Sequence, residues 1–528
     1  MGALVEQRVL IDGAWVTSRG SETFASTDPK TGGVLGRYPV SPWSELDRAL
    51  DAGSVAYALA SGADEERFAV FLERFADRLE AAAENILDTA HGETRLPVRP
   101  RLADQEMPRT TDQLRQAAHA VRARSWKRPT LSPQARIGSL RVPLPGSVCT
   151  FGPNNFPLAF NAVSGGDFAA AVATGHPVIA KANPGHPATT ALLAAEARRA
   201  VEEARLPPAF VQMIYHTDDA DGRRMVADPR VAAIAYTGSL TAGVTLKEAA
   251  DRAGKPVYLE MSSVNPVVVS PGALAERATA VADELAQSML SASGQLCTSP
   301  GLIFVLEGQG AAVLRRELRH RLERQPGGPL LAANVQSGLE ASRARWLGAG
   351  ARVVAEGMAA PARCAFPNTM LEVAGSTFLA DPATFQEEAF GNLSLYVVAA
   401  DMDELCLALA RLRGNLAGSI YTASAGDGQF YGAVEPVLAQ RVGRLLNDKP
   451  PTGVAVVAAM HHGGPYPSAG HPGFTAVGSP ASLDRFTMLR SYDNVSDNRL
   501  PDELKAGNPL GLQRYVDGEW TRRPVRWG

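Results

Sequence analysis

Apolar and polar positions along this chain follow two different periods, and the switches between them mark out its elements. The runs Val9 to Ile11 and Ala14 to Thr17 open the sequence as short strands. Between Asp47 and Leu87 the apolar residues fall at helical spacing, Val70, Leu72, Phe75 and Leu79 among them, in a charged, Ala-rich background. That stretch predicts helices packed by one face on a larger body. From Ser147 to Val269 the runs Val148 to Phe151, Pro177 to Ala182, Phe210 to Tyr215, Val231 to Tyr236 and Val257 to Glu260 alternate with helical stretches. The clearest of these helices is Ala188 to Ala204, behind Pro187 as a first-turn residue. Short apolar runs separated by such helices predict an α/β fold with a parallel sheet covered on both faces.

A second alternation follows Pro266. It contains a long amphipathic helix (Leu274 to Ser291), the dense segment GQLCTSPG, a strand (Leu393 to Ala400), a helix (Asp403 to Leu412) and the strand GSIYT, and it closes near Asp448. The stretch from Arg128 to Pro145 is too interrupted by proline for a helix and reads as a connecting arm. The tail from Lys449 begins rich in Gly, Pro and His (HHGGPYPSAGHPG) and continues as a polar extension.

Composition narrows the class. Hydrophobic residues are 45% and charged residues 20% of 528, which disfavours disordered and fibrous chains. With 52 Lys+Arg against 55 Asp+Glu, the net charge of -3 gives no general attraction to nucleic acid or anionic lipid. No apolar run approaches the ~18 residues of a membrane span. The stretch from Met1 to Gly13 lacks a basic-then-apolar leader, and Glu6 stands where a myristoylation signal carries Ser or Thr. Cys149, Cys297, Cys364 and Cys406 form neither a disulfide framework nor a CxxC pair. A reducing, cytoplasmic setting is expected.

Five places carry candidate chemistry. Cys297 lies among small residues just past a helix, where a substrate can reach the sulfur and the Cys297 backbone N–H can face a developing oxyanion; a buried structural cysteine is the competing reading. Glu260 ends an apolar strand, placed for general-base work with a raised pKa or else a solvated strand-end charge. The turn Gly238 to Gly243 joins a strand to a helix N-terminus and offers N–H groups to a pyrophosphate, or is an ordinary connection. Lys181 ends the strand VIAK, within reach of ribose hydroxyls or snorkelling at the surface, and Asn155 offers an amide donor or a turn. His461, His462 and His471 suggest a metal, but acidic neighbours are lacking in the sequence around them, so no metal is expected.

Taken in order, NNFP, VIAK, YTGSLTAG, LEMSSVNP, GQLCTSPG and EEAFGNLS resemble the aldehyde dehydrogenase superfamily from about Ser147 to Leu395. The resemblance implies Cys297 as nucleophile, Glu260 as general base, and Asn155 with the Cys297 backbone as oxyanion hole. Lys181 would meet the adenosine ribose, Gly238, Ser239 and Gly243 the pyrophosphate region, and Glu388 with Phe390 the nicotinamide side. It also implies a Rossmann-like cofactor domain (1–127 and 147–259), an α/β catalytic domain (260–448), and a small β oligomerisation arm (128–146 with part of 449–528) serving a homodimer or homotetramer. Departures from the commoner motifs, with the segment Glu106 to Arg115, HGGPYP and NPLGLQRYVDG, are similar to the branch of α-ketoglutaric semialdehyde and NADP-dependent long-chain aldehyde dehydrogenases.

Cofactor choice follows from one position. Where NAD-preferring members of the family place a carboxylate, three residues after the strand lysine, this chain has Pro184, so nothing there repels a 2′-phosphate. NADP is expected to be accepted and preferred, with NAD possible and with Lys181 and the loop Asn183 to His186 lining the phosphate. An acidic semialdehyde would need a cation, and Arg101 and Arg109 are the candidates because Phe474 stands near where keto-acid relatives carry arginine. Otherwise Phe156, Phe160 and Phe474 suggest a long-chain or aromatic aldehyde. A cysteine hydrolase or acyltransferase without redox chemistry is the alternative from another class.

Overall fold

The computed structural model describes residues 7–62 and 64–528; part of the Met1 to Gly13 reading, including Glu6, lies outside them. Three large sheets and the two-stranded ribbon of Thr23–Thr27 with Val34–Pro39 organise the described residues. The first has seven strands in the order Val257–Glu260, Val231–Thr237, Ser147–Phe151, Val178–Lys181, Val211–Ile214, Arg8–Ile11 and Ala14–Thr17. Its first five strands run parallel, and the amino-terminal hairpin extends the far edge antiparallel. These strands are largely apolar because helices pack against them, among them Gly166–Ala173, Pro187–Glu203, Trp43–Ala60, Asp219–Val226 and Leu240–Arg252, with Glu66–Ala81 and Met107–Ala123 packed on these helices in turn. Glu66–Ala81 buries Phe68, Phe71, Leu72, Phe75 and Leu79 along one stripe, the helical period read from the sequence.

The second sheet also has seven strands, ordered Arg352–Glu356, Thr369–Ala374, Leu393–Ala399, Leu302–Leu306, Val267–Val269, Asn415–Tyr421 and Val442–Asn447. Only its Arg352–Glu356 edge is antiparallel. The helix Pro271–Leu290 covers it, with Ser270 accepting the Ala273 N–H as N-cap. The proline-interrupted arm forms strands Thr130–Ser132 and Ile137–Pro143, and the tail completes a third sheet around them with Thr487–Asp493, Arg514–Val516 and Glu519–Thr521. None of the described helices is long and apolar enough to cross a membrane.

Two consequences of this topology position the functional residues. Register pairs Thr237 with Glu260, Tyr236 with Phe151, and Phe151 with Lys181, so the carboxyl ends of four parallel strands open together onto one crevice. The Gly, Pro and His tail then runs between the two large sheets. Met261 donates its N–H to Ser468 O at 2.8 Å and Gly470 donates to Leu259 O at 3.0 Å, which fastens the tail beside Glu260. Glycine is required where it crosses the second sheet, since a Cβ at Gly443 would lie 1.9 Å from Gly463 O.

Candidate active site

The strand ends enclose a cavity of about 720 Å³ that runs from Ala25, Thr27 and Lys181 at one extremity to Cys297 and Glu260 at the other. Gly238 and Ser239 form its floor at the start of the helix Leu240–Arg252, and the Ser239 hydroxyl caps that helix by accepting the Ala242 N–H. N–H groups at a helix start suit a pyrophosphate. Asn183, Pro184 and Gly185 line the wall beyond Lys181, shaped by Asn183, whose Nδ2 donates to Gly152 O at 3.1 Å and whose Oδ1 accepts the Gly185 N–H at 2.9 Å. Glu388 and Phe390 line the opposite wall. Size, donors and shape fit a nicotinamide dinucleotide.

Three expectations for this cavity are corrected. Gly243 is inside the helix, where a Cβ would lie 2.8 Å from Met261 Sδ, so it serves close packing rather than the pyrophosphate. His186 is fully buried with Nε2 on Pro153 O at 2.8 Å, and it supports the loop from behind instead of lining a phosphate. Phe474, only 1% exposed, packs its ring 5.3 Å from the Arg485 guanidinium within the core rather than at a tunnel mouth.

Cys297 reaches the cavity through a strained turn. After the helix Pro271–Leu290, the residues Ala292, Ser293 and Gly294 take positive φ of 49°, 55° and 69°, and a Cβ at Gly294 would lie 2.2 Å from Gly391 O. Left-handed backbone costs roughly 1–2 kcal/mol at each non-glycine residue. Gln295 closes the turn by donating its backbone N–H and its Nε2 to Ala292 O at 3.1 and 2.9 Å, and Asn265 Nδ2 fixes the segment that follows by donating to Cys297 O and to Ser299 O, each at 2.9 Å. Asn155, 4% exposed, lines the same end and spends one amide N–H on Gln295 O at 3.0 Å, which leaves the other for an oxyanion.

Burial and the neighbouring Glu260 carboxylate push the Cys297 thiol well above its ordinary pKa, and Arg109 opposes the rise. A neighbouring proton acceptor is therefore of interest, and the tail brings one to the thiol in His462, which in the sequence pointed only to a metal. His462 Nε2 lies 3.5 Å from Cys297 Sγ and 3.0 Å from Glu260 Oε1, and the three groups bring their ligand-type atoms within 4.8 Å of one another. With Nε2 protonated the imidazole donates to Glu260; with Nε2 bare it receives the thiol proton. The acidic partner missing from the sequence around the histidines is thus Glu260, contributed by another element. His471 lies apart, exposed and edge-on to Tyr258 at 5.0 Å.

Two further features were silent in the sequence. Burial raises the Glu388 carboxyl to about 7, against hydrogen bonds from the Ser262 side chain and Ser263 backbone. Glu106 closes the irregular π-helical stretch Val98–Glu106 and is 1% exposed. Its Oε1 accepts the Leu158 and Ala159 N–H groups at 2.8 and 3.0 Å, while its other oxygen pairs with Arg101. Arg101 also donates to Asn155 O at 3.1 Å and lies 4.3 Å from the centre of the Phe156 ring. Hydrogen bonds to a buried charge contribute about 1.5–3 kcal/mol each, so this clamp holds the loop carrying Asn155 firmly.

Comparison with known proteins agrees with this arrangement. Residues 15–432 match the model of the aldehyde dehydrogenase family. Alpha-ketoglutaric semialdehyde dehydrogenase 2 of Azospirillum brasilense is 34% identical over 97% of this chain and 98% of its own length. Alpha-ketoglutaric semialdehyde dehydrogenase of Acinetobacter baylyi is 32% identical over 95% and 96%. Among solved structures, lactaldehyde dehydrogenase from Escherichia coli superposes with a TM-score of 0.80 at 23% identity, covering 93% of this chain and 99% of that one.

Proposed function

Because the chain belongs to the aldehyde dehydrogenase family and oxidises an aldehyde to a carboxylic acid with NAD(P), we propose that its substrate is an acidic semialdehyde of the α-ketoglutaric type and that NADP is its preferred cofactor. The observation that carries the chemistry is the contact of Cys297 Sγ with His462, itself 3.0 Å from Glu260, at the head of a dinucleotide-sized cavity. A non-redox cysteine hydrolase has no use for that cavity, and family membership sets it aside.

A bound nicotinamide supplies the hydride acceptor. This chain's own residues do the rest. His462 Nε2 takes the proton of the Cys297 thiol, and the sulfur adds to the aldehyde carbon. The second amide N–H of Asn155 and the Cys297 N–H meet the oxyanion. Loss of hydride from the resulting thiohemiacetal leaves a thioester on Cys297, and Glu260 then accepts a proton from the water that hydrolyses it.

The substrate reading is supported by the near full-length relatives named for α-ketoglutaric semialdehyde. Long-chain or aromatic aldehydes are less well matched, because the aromatic side chains stand beside cations, Arg101 4.3 Å from the Phe156 ring and Arg109 5.1 Å from the Phe160 ring, which suits an anionic chain better than an uncharged one. In a panel of short semialdehydes, alkyl aldehydes and aromatic aldehydes, kcat/KM is expected to be highest for the semialdehydes; a maximum at an alkyl aldehyde refutes the reading.

For NADP the support is electrostatic. The carboxylates lining the cavity, Glu260 and Glu388, stand at the catalytic end, whereas the Pro184 wall carries Lys181, whose Nζ makes one long bond of 3.3 Å to Ala182 O. Burial lowers Lys181 to about 8, partly offset by Asp219, and neighbouring His216 is lowered to about 4 and so neutral. Lys181 is therefore cationic below pH 8 and loses its charge above it. The dissociation constant of NADP, followed by protein fluorescence, is expected to rise about three- to tenfold from pH 7 to 9 while that of NAD stays level. Parallel profiles for the two refute the phosphate contact.

The four free cysteines support a reducing, cytoplasmic setting. Homo-oligomerisation is supported by the edge strand Thr487–Asp493, which leaves Met488 and Leu489 41% and 61% exposed.

A further inference from the structure

Three arginines stand near Cys297 or the loop that carries Asn155, and two of them are already satisfied. Arg101 is held by Glu106 and Asn155 O. Arg444 donates to the backbone carbonyls of Pro451 and Gly453. Arg109 differs. Its Nη1 donates to Val454 O at 2.6 Å, which fixes the plane of the guanidinium, yet Nε and Nη2 are buried and have no partner among the described residues. These two donors form one side edge of the guanidinium, the parallel fork that accepts a carboxylate with both oxygens. A buried cation with an unfilled fork is costly unless something fills it.

A chain of contacts leads from Arg109 to the reacting pair. The guanidinium carbon lies 5.1 Å from the centre of the Phe160 ring; that ring lies 5.9 Å from the His462 imidazole, and His462 Nε2 is 3.5 Å from Cys297 Sγ. Arg109 is thus one aromatic ring away from the reacting pair, a separation that a short carbon chain spans. We propose that the Nε and Nη2 edge of Arg109 binds the distal carboxylate of the aldehyde, with Phe160 as the wall along which the chain lies. This rests on the semialdehyde reading and names the residue that enforces it. An uncharged aldehyde of the same length leaves the fork empty and forfeits that binding energy.

The test compares 5-oxopentanoate with pentanal in the wild type, R109M and R109K, with NADP binding and thermal melting as checks on folding. R109M also removes a charge that opposes the rise of the Cys297 thiol pKa, so kcat/KM falls for both aldehydes, and the fall for 5-oxopentanoate is expected to be about 30-fold or more larger than that for pentanal, the excess lying mostly in KM. R109K, a point charge without the fork, is expected to recover part of the loss. Equal losses on both aldehydes assign Arg109 to holding Val454 alone and overturn the proposal. A wild-type preference for 5-oxopentanoate that survives in R109M overturns the anchor but leaves the semialdehyde reading standing; a wild-type preference for pentanal overturns both.

Discussion

Replacing Cys297 by alanine is expected to abolish aldehyde oxidation, with turnover lower by about 10⁵-fold or more, while NADP binding and the melting temperature stay close to wild type. The size follows from the chemistry, because no neighbouring group replaces the sulfur: Glu260 and His462 are proton carriers, and Asn155 is a neutral donor. Preserved binding follows from the geometry, since the cavity's phosphate-side features, Lys181, Gly238 and Ser239, sit on strand and helix ends of the other sheet. Stopped-flow formation of reduced cofactor together with cofactor titration checks both halves. Retained turnover would remove Cys297 from the reaction.

Replacing Glu260 by glutamine is expected to slow steady-state turnover by about 10²–10⁴-fold while leaving a burst of reduced cofactor close to one equivalent. Thioester hydrolysis needs a base for water, and Glu260 Oε2, buried without a partner among the described residues, is placed to provide it. Formation of the thioester needs a base for the thiol, a part that the proposed mechanism gives to His462, 3.5 Å from Cys297 Sγ. The His462→Asn variant therefore separates the two steps: its burst is expected to be slow and to accelerate with pH, since a thiol held well above its ordinary pKa ionises only as alkali replaces the lost acceptor. Rapid-quench measurement of the acyl-enzyme reads the difference, and a Glu260→Gln enzyme without a burst would move Glu260 to the first step.

The legible part of the molecule was whatever depends on near neighbours in the chain. The five parallel strands of the cofactor sheet were predicted within a residue or two at most ends, and the helix Pro187–Glu203 began at the proline the sequence pointed to. In these elements period, burial and turn chemistry agree. Cys297, Glu260, Asn155, Lys181, Gly238 and Glu388 were legible because each sits in a short motif, and they all line one cavity. Gly243 misled for the same reason. A glycine in a Gly-rich turn looks alike whether it faces a ligand or packs beneath Met261.

What could not be read was every partnership between distant segments. The histidines looked like a metal cluster without acids, because Glu260 is about two hundred positions earlier in the chain. The sequence by itself determined the α/β class, the nucleophile and the strand ends that meet the cofactor, since these follow from local periodicity and motif. Only the tertiary structure decided that His462 joins Cys297 and Glu260, that Glu106 and Arg101 steady the Asn155 loop, and that Arg109 keeps an open fork. Each depends on the carboxy-terminal tail or an amino-terminal helix docking against strand ends far away in sequence, and that docking is set by close backbone approach and buried hydrogen bonds, which leave no periodic trace in the chain.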